Sequence, residues 1–132
     1  MDAIRQAIYT KMAADSTLTT ALSTYRSTYA IVDGFNPPDD MQVPFVVYDV
    51  MEDRNIYSKT DTLRVVRVDF RIVTSTLSDP TTIAERIRTL FHRVAITVSG
   101  WTNIITEVIG PRQIGQTEST KTNLITIEFT LA

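Results

Sequence analysis

The sequence predicts an α+β domain. It should hold one mostly antiparallel, twisted sheet with helices packed on one face, in the order α-α-β-β-β-α-β-β. Three stretches carry this. The run Val66-Arg67-Val68-Asp69-Phe70-Arg71-Ile72 alternates apolar and charged residues strictly. That is the period of a strand with one face buried and the other in water. The closing stretch from Thr122 to Leu131 alternates in the same way, with Ile125, Ile127, Phe129 and Leu131 on one side and Thr126, Glu128 and Thr130 on the other. Between them, Asp79-Pro80 opens a stripe of Ile83, Ala84, Ile87, Leu90, Phe91 and Val94 at helical spacing.

From the start of the chain, Ile4, Ala7, Ile8 and Met12 recur as on one helix face, which predicts a helix over 2–13. Asp2 near its start suits the helix dipole. Ala13-Ala14 forms a corner, and Asp15 is placed to cap a short second helix bearing Leu18, Ala21 and Leu22. Tyr29 to Val32 reads as a brief strand ended by Asp33-Gly34. Residues 35–44 hold three prolines and two acids. A proline has no N–H for a sheet ladder, so this segment is a loop. Phe45 to Met51 is a strand apolar enough for burial on much of both faces.

Residues 52–61 are polar and lack a two-residue turn signal, which predicts a long hairpin loop. In the strand over 62–75, Val66, Val68, Phe70 and Ile72 should face the core, with Arg67, Asp69 and Arg71 outside. Asp79 caps the helix over 80–94, and Pro80 takes its first position, where a missing N–H costs nothing. Arg86, Arg88 and Arg93 flank its apolar stripe. Ile96-Thr97-Val98 reads as a short strand broken at Ser99-Gly100. Asn103 to Ile109 reads as another, ended by Gly110-Pro111, and residues 111–121 as a second long polar loop before the final strand.

The 132 residues suit one domain, 1–132, large enough to bury a core without staples. There are no cysteines, which removes disulfides and thiolate metal sites. The net charge of −2 argues against a concentrated basic face for a phosphate backbone. No signal peptide is evident, and no run approaches the ~20 apolar residues of a membrane span.

A catalytic set is not evident either. His92 is the only histidine. It therefore has no partner for a metal site, and no Gly-x-Ser-x-Gly elbow is present to pair with it. A surface or edge histidine accounts for it. The acid pairs Asp39-Asp40 and Glu52-Asp53 lack the spacing of a calcium loop and read as solvated loop charge. The four glycines fall in no phosphate-binding pattern. The sequence thus assigns no catalytic residue, metal ligand or cofactor. A carboxylate enzyme built on Asp49, Glu52 or Asp69 ranks last, and a monomeric binding module would fit the same fold. Trp101 reads as a core or edge anchor.

Arginine outnumbers lysine ten to three. Arg64, Arg67 and Arg71 around Asp69 fit an exposed sheet face and a subunit interface equally, since arginine favours bidentate and interface contacts. The candidate interface residues are Arg54, Tyr57, Lys59 and Arg64, then Arg67, Asp69 and Arg71, then Arg112, Gln116 and Lys121.

Four stretches together resemble the phage tail-terminator or tail-completion proteins of the head–tail neck. They are the N-terminal helix with Asp15-Ser-Thr-Leu-Thr-Thr-Ala-Leu22; the proline loop leading into Val43-Pro44-Phe45-Val46-Val47-Tyr48; Arg67-Val68-Asp69-Phe70-Arg71-Ile72-Val73, followed by Asp79 and its helix; and the closing strand over 122–131. The likeness covers nearly the whole chain and lies in pattern and order. It implies a structural virion protein without enzymatic activity, located in the virion and, during assembly, in the host cytoplasm. Such proteins form a homo-hexameric ring that caps the tail tube and joins it to the head-side connector. Viral DNA passes through the lumen. In this chain the resemblance points to the loops at 52–61 and 111–121 as the parts reaching neighbours or tube. The alternatives are a head-completion or connector ring of the same neck, or a minor tail or adaptor protein.

Overall fold

Strict alternation at 66–72 and 122–131 marks two strands, each with one buried face. In the computed structural model, which describes residues 3–34, 36–57 and 62–132, these two strands pair with each other. The elements in chain order are α1 (Ala3–Ala13), α2 (Ser16–Ala21), β1 (Thr24–Tyr25), β2 (Thr28–Tyr29), β3 (Ile31–Asp33), β4 (Phe45–Tyr57), β5 (Thr62–Ser75), α3 (Pro80–Phe91), β6 (Asn103–Gln116) and β7 (Thr120–Leu131). Strands β1 and β2 form a small separate hairpin. The main sheet has the order β3-β4-β5-β7-β6.

One face of this sheet is the core. Val66, Val68, Phe70 and Ile72 of β5 and Ile125, Ile127, Phe129 and Leu131 of β7 are fully buried. They lie against Ile4, Ile8 and Met12 of α1, Leu18 of α2 and Ile83, Ala84, Ile87 and Phe91 of α3. An aromatic row crosses this core. Ring centroids are 5.7 Å apart for Tyr48–Phe70, 5.8 Å for Phe70–Phe91 and 6.0 Å for Phe91–Phe129. Burial pushes the Tyr48 phenol well above its ordinary value.

Local chemistry sets the helix ends. The Leu18 amide donates to Asp15 Oδ2 at 2.9 Å, and the Thr81 amide donates to Asp79 Oδ1 at 2.9 Å. Each thereby satisfies one of the orphan N–H groups of a first turn. Helix α3 stops three residues earlier than the apolar stripe suggests. Arg93 adopts a φ of 55°, which breaks the helix, and its amide donates to Thr106 O of β6 at 2.8 Å instead.

Both long loops expected from polarity are mostly strand. Strand β4 runs on through Tyr57, pairing Glu52–Tyr57 with Thr62–Arg67, so only 58–61 connects the hairpin. Those four residues, Lys59 among them, lie outside the described residues, as does Asp2. Strand β6 likewise continues past Gly110-Pro111 to Gln116 by shifting register between Ile109 and Arg112. It is an edge strand, where a proline's missing N–H can face away from the ladder. Alternation signals a strand only where one face is buried. These extensions are held by backbone pairing, and their side chains are mostly exposed. Two further differences follow from context. Strand β3 pairs parallel to β4, using the proline loop as its crossover, and it begins at Ile31 because Tyr29 belongs to β2. Residues 96–98 contribute only an isolated bridge, Val98 to Trp101.

Asp15 also receives both Arg86 Nε and Nη2, at 2.8 and 2.6 Å, tying α2 to α3. The Arg86 hydrogen bond, with the Leu18 amide, holds the Asp15 carboxyl below its ordinary 3.8. A depressed folded value means that the ionised form stabilises the fold. That contribution is complete above the unfolded value and disappears as pH falls through the folded one. Asp15→Asn keeps a capping side chain but removes the ion pair. In urea unfolding it should be less stable than the parent at neutral pH, and the gap should close as pH falls through the depressed folded value of Asp15. An unchanged gap across that range would show that the carboxylate charge is not what matters.

Candidate interaction face

The sheet face turned away from the helices carries the residues most open to a partner. Register sorts them into rows across β4, β5, β7 and β6. One row reads Arg54, Val65, Thr130, Ile105. The next reads Glu52, Arg67, Glu128, Glu107, and the next Asp49, Asp69, Thr126, Ile109. The fourth reads Val47, Arg71, Leu124, Arg112. Met51 is the extra residue of the β4 bulge between Val50 and Glu52. Met51 is 53% exposed, and Ile105 and Ile109 are 44% and 60% exposed. A depression of about 560 Å³ crosses the face, bounded by Met51, Arg67, Asp69, Ile109, Arg112 and Thr126.

The bulge of β6 shapes the far wall of this depression. Gly110 has a φ of 101°, and a Cβ there would lie 3.1 Å from Leu124 O. From the helix side, Arg88 Nη1 donates to Gly110 O at 2.9 Å and to Val108 O at 3.4 Å, and His92 Nδ1 accepts from the Val108 amide at 3.2 Å. The lone histidine therefore anchors β6 to the end of α3.

The predicted interface residues separate into distinct places. Arg67, Asp69, Arg71, Arg112 and Arg54 share the outer face. Arg67 lies 3.5 Å from Glu128 and 3.9 Å from Glu52, Asp69 accepts from Thr126 Oγ1 at 2.8 Å, and Arg54 Nε lies 2.8 Å from Glu52. Arg64 alternates onto the other face of β5. Its guanidinium grips both Asp53 oxygens at 2.8 and 2.6 Å and sits 5.5 Å from the Trp101 ring. With 14% side-chain exposure it acts as a clamp on the hairpin base, and its hydrogen bond holds Asp53 below the ordinary carboxylate value. Tyr57 is 74% exposed at the end of β4. Gln116 and Lys121 pair with each other at the opposite end of the sheet.

Met51, Ile105, Ile109, Asp49 and Glu107, all on β4 or β6, also belong to this face and are absent from the predicted set. Their signal was obscured because β4 and β6 carry apolar residues on both sides. Among the described residues, no group of three or more His, Cys, Asp or Glu is placed to hold a metal, and no helix is long and apolar enough to cross a membrane. Mixed charge, exposed apolar side chains and a broad depression equip the face for protein contact.

No family model and no curated protein matches the sequence. The fold, however, is shared. A chain of the virion of a native gene transfer agent (GTA) particle superposes with a TM-score of 0.74 and 13% identity, covering 98% of this chain and 95% of that one. A second solved chain, whose name states no function, superposes at 0.63 with 10% identity, covering 98% and 94%. At such identities the likeness is one of fold.

Proposed function

We propose that this chain is a structural virion subunit of a phage-like particle. More specifically, it would be a tail terminator whose ring caps the head-proximal end of the tail tube, ends tube growth and offers a surface to the head-side connector. The observation that carries this is the end-to-end superposition on a chain of a gene transfer agent virion. The sequence pattern supports the finer role through its resemblance to tail-completion proteins. The geometry is suited to assembly. The β4–β5 hairpin carries Ile56 and Tyr57 beyond the last β5–β7 pair, at 42% and 74% exposure, and the β6–β7 turn lies at the opposite end of the sheet. Viral DNA would pass through the lumen without specific binding.

Light scattering over a concentration series, with negative-stain imaging of the same samples, tests the ring. Six-fold rings that bind the open ends of purified tail tubes are expected. Twelve-fold rings would move the chain to the head side of the neck. No binding to tubes in any assembly state would overturn the terminator role.

A further inference from the structure

The outer depression meets only part of its needs from its own chain. Its polar floor is settled: Asp69 accepts from Thr126 Oγ1 at 2.8 Å, and Arg67 lies between Glu52 and Glu128. Its rim is not. Met51 and Ile109 hold apolar surface open to solvent, at 53% and 60% exposure. Arg112 is exposed beside them, and among the described residues its guanidinium has no hydrogen-bond or ion-pair partner. A depression of about 560 Å³ with apolar sides and a bare guanidinium suits an aromatic ring, which fills apolar space and offers its π face to the cation.

Tyr57 is the most exposed aromatic side chain among the described residues, at 74%. It sits where β4 and β5 run two pairs past Arg64–Leu131, the last pair of β5 with β7. Leu77 is 98% exposed, but it has nothing to offer a guanidinium. Tyr57 cannot fill the depression of its own chain. It stands opposite Thr62, on the face of β5 that carries Val66 and the core, whereas the depression opens on the other face. It is also six residues along β4 from Met51, roughly 20 Å at the rise of a strand.

We infer that the end of the β4–β5 hairpin docks in the outer depression of a second copy of the chain, its Tyr57 ring lying between Met51 and Ile109 with one face over Arg112. The two surfaces are different, so each copy gives one hairpin and receives another. A contact of that kind passes from copy to copy and closes into a ring when the rotation between neighbours closes. An aromatic anchor and an arginine surrounded by apolar contact are the side chains that carry most of the energy of an interface. The contact supplies a subunit joint for the ring proposed above and rests on that proposal for its biological use.

Two variants separate the halves of this joint. Tyr57→Ala removes the inserted ring and leaves the depression. Ile109→Asp with Arg112→Glu spoils the depression and leaves the hairpin. All three positions are exposed, and circular dichroism establishes that each variant is folded. Arg112→Ala alone stands in if the double variant is not.

Sedimentation velocity should show each variant alone shifted toward the free subunit, with association weaker than in the parent by about tenfold or more. An equimolar mixture of the two should form pairs and nothing larger. One intact hairpin then meets one intact depression, and the sites left over are both spoiled. Parent-like association of either variant alone overturns the contact, and so does a mixture that stays single or rebuilds rings. A parent chain that never self-associates overturns it too. Tail-tube capping by both variants would leave the terminator role standing and remove this joint from it. Pairing as expected, with no tube binding by the parent, would remove the terminator role and leave the joint.

Discussion

Phe70→Ala is expected to lower the stability of the fold by about 3–5 kcal/mol, enough to unfold much of the population of a marginally stable domain. Phe70 is fully buried in the central strand β5, between Tyr48 of β4 and Phe91 of α3. Its removal opens a cavity where sheet and helix layer meet, and the strands on either side are fixed by register and cannot close it. The contact between β5 and α3 weakens with it, because Phe91 loses one of its two aromatic neighbours and keeps only the edge-on contact to Phe129. Urea unfolding measures the change. Phe70→Leu should cost distinctly less, since it restores most of the lost volume. Equal losses for the two would mean that packing volume is not the controlling factor at this position.

Gly110→Val should destabilise the fold by about 1–3 kcal/mol and weaken self-association as well. The φ of 101° is a conformation that side chains resist, and a Cβ there meets the backbone oxygen of Leu124 at 3.1 Å. Strand β6 must then move off β7 or lose its bulge. Either change shifts Ile109 and Arg112, the far wall of the outer depression, and disturbs the carbonyls held by Arg88. Thermal unfolding reports the first effect and sedimentation the second. A variant with parent stability would show that the bulge relaxes freely. Parent association despite lost stability would place the interface elsewhere.

Arg67 is a poor probe of the outer face by comparison. It lies between Glu52 of β4 and Glu128 of β7, so reversing its charge disrupts pairing inside the chain before it disturbs any partner. Arg112, exposed beside the outer depression, reports on a partner more directly. The arginines around Asp69 looked alike in the sequence, yet Arg64 clamps Asp53 beneath Trp101 while Arg71 is exposed on the opposite face. Residue type and alternation could assign a face to each. Their partners come from strands far away in sequence and could not be read there.

What the sequence determined by itself was everything local or periodic. The α+β class, the core faces of β5 and β7, the caps Asp15 and Asp79, Pro80 at the start of α3 and the absence of cysteine all follow from neighbouring residues or from a period of two or 3.6. The tertiary structure decided the rest. It carried β4 and β6 through stretches that look like loops, because backbone pairing stabilises a strand whose side chains are exposed on both faces. It set β3 parallel to β4, since a short edge strand takes its direction from the loop that delivers it. It also gathered five carboxylates from four strands beside Arg71 and Arg112, because register brings together residues far apart in the chain.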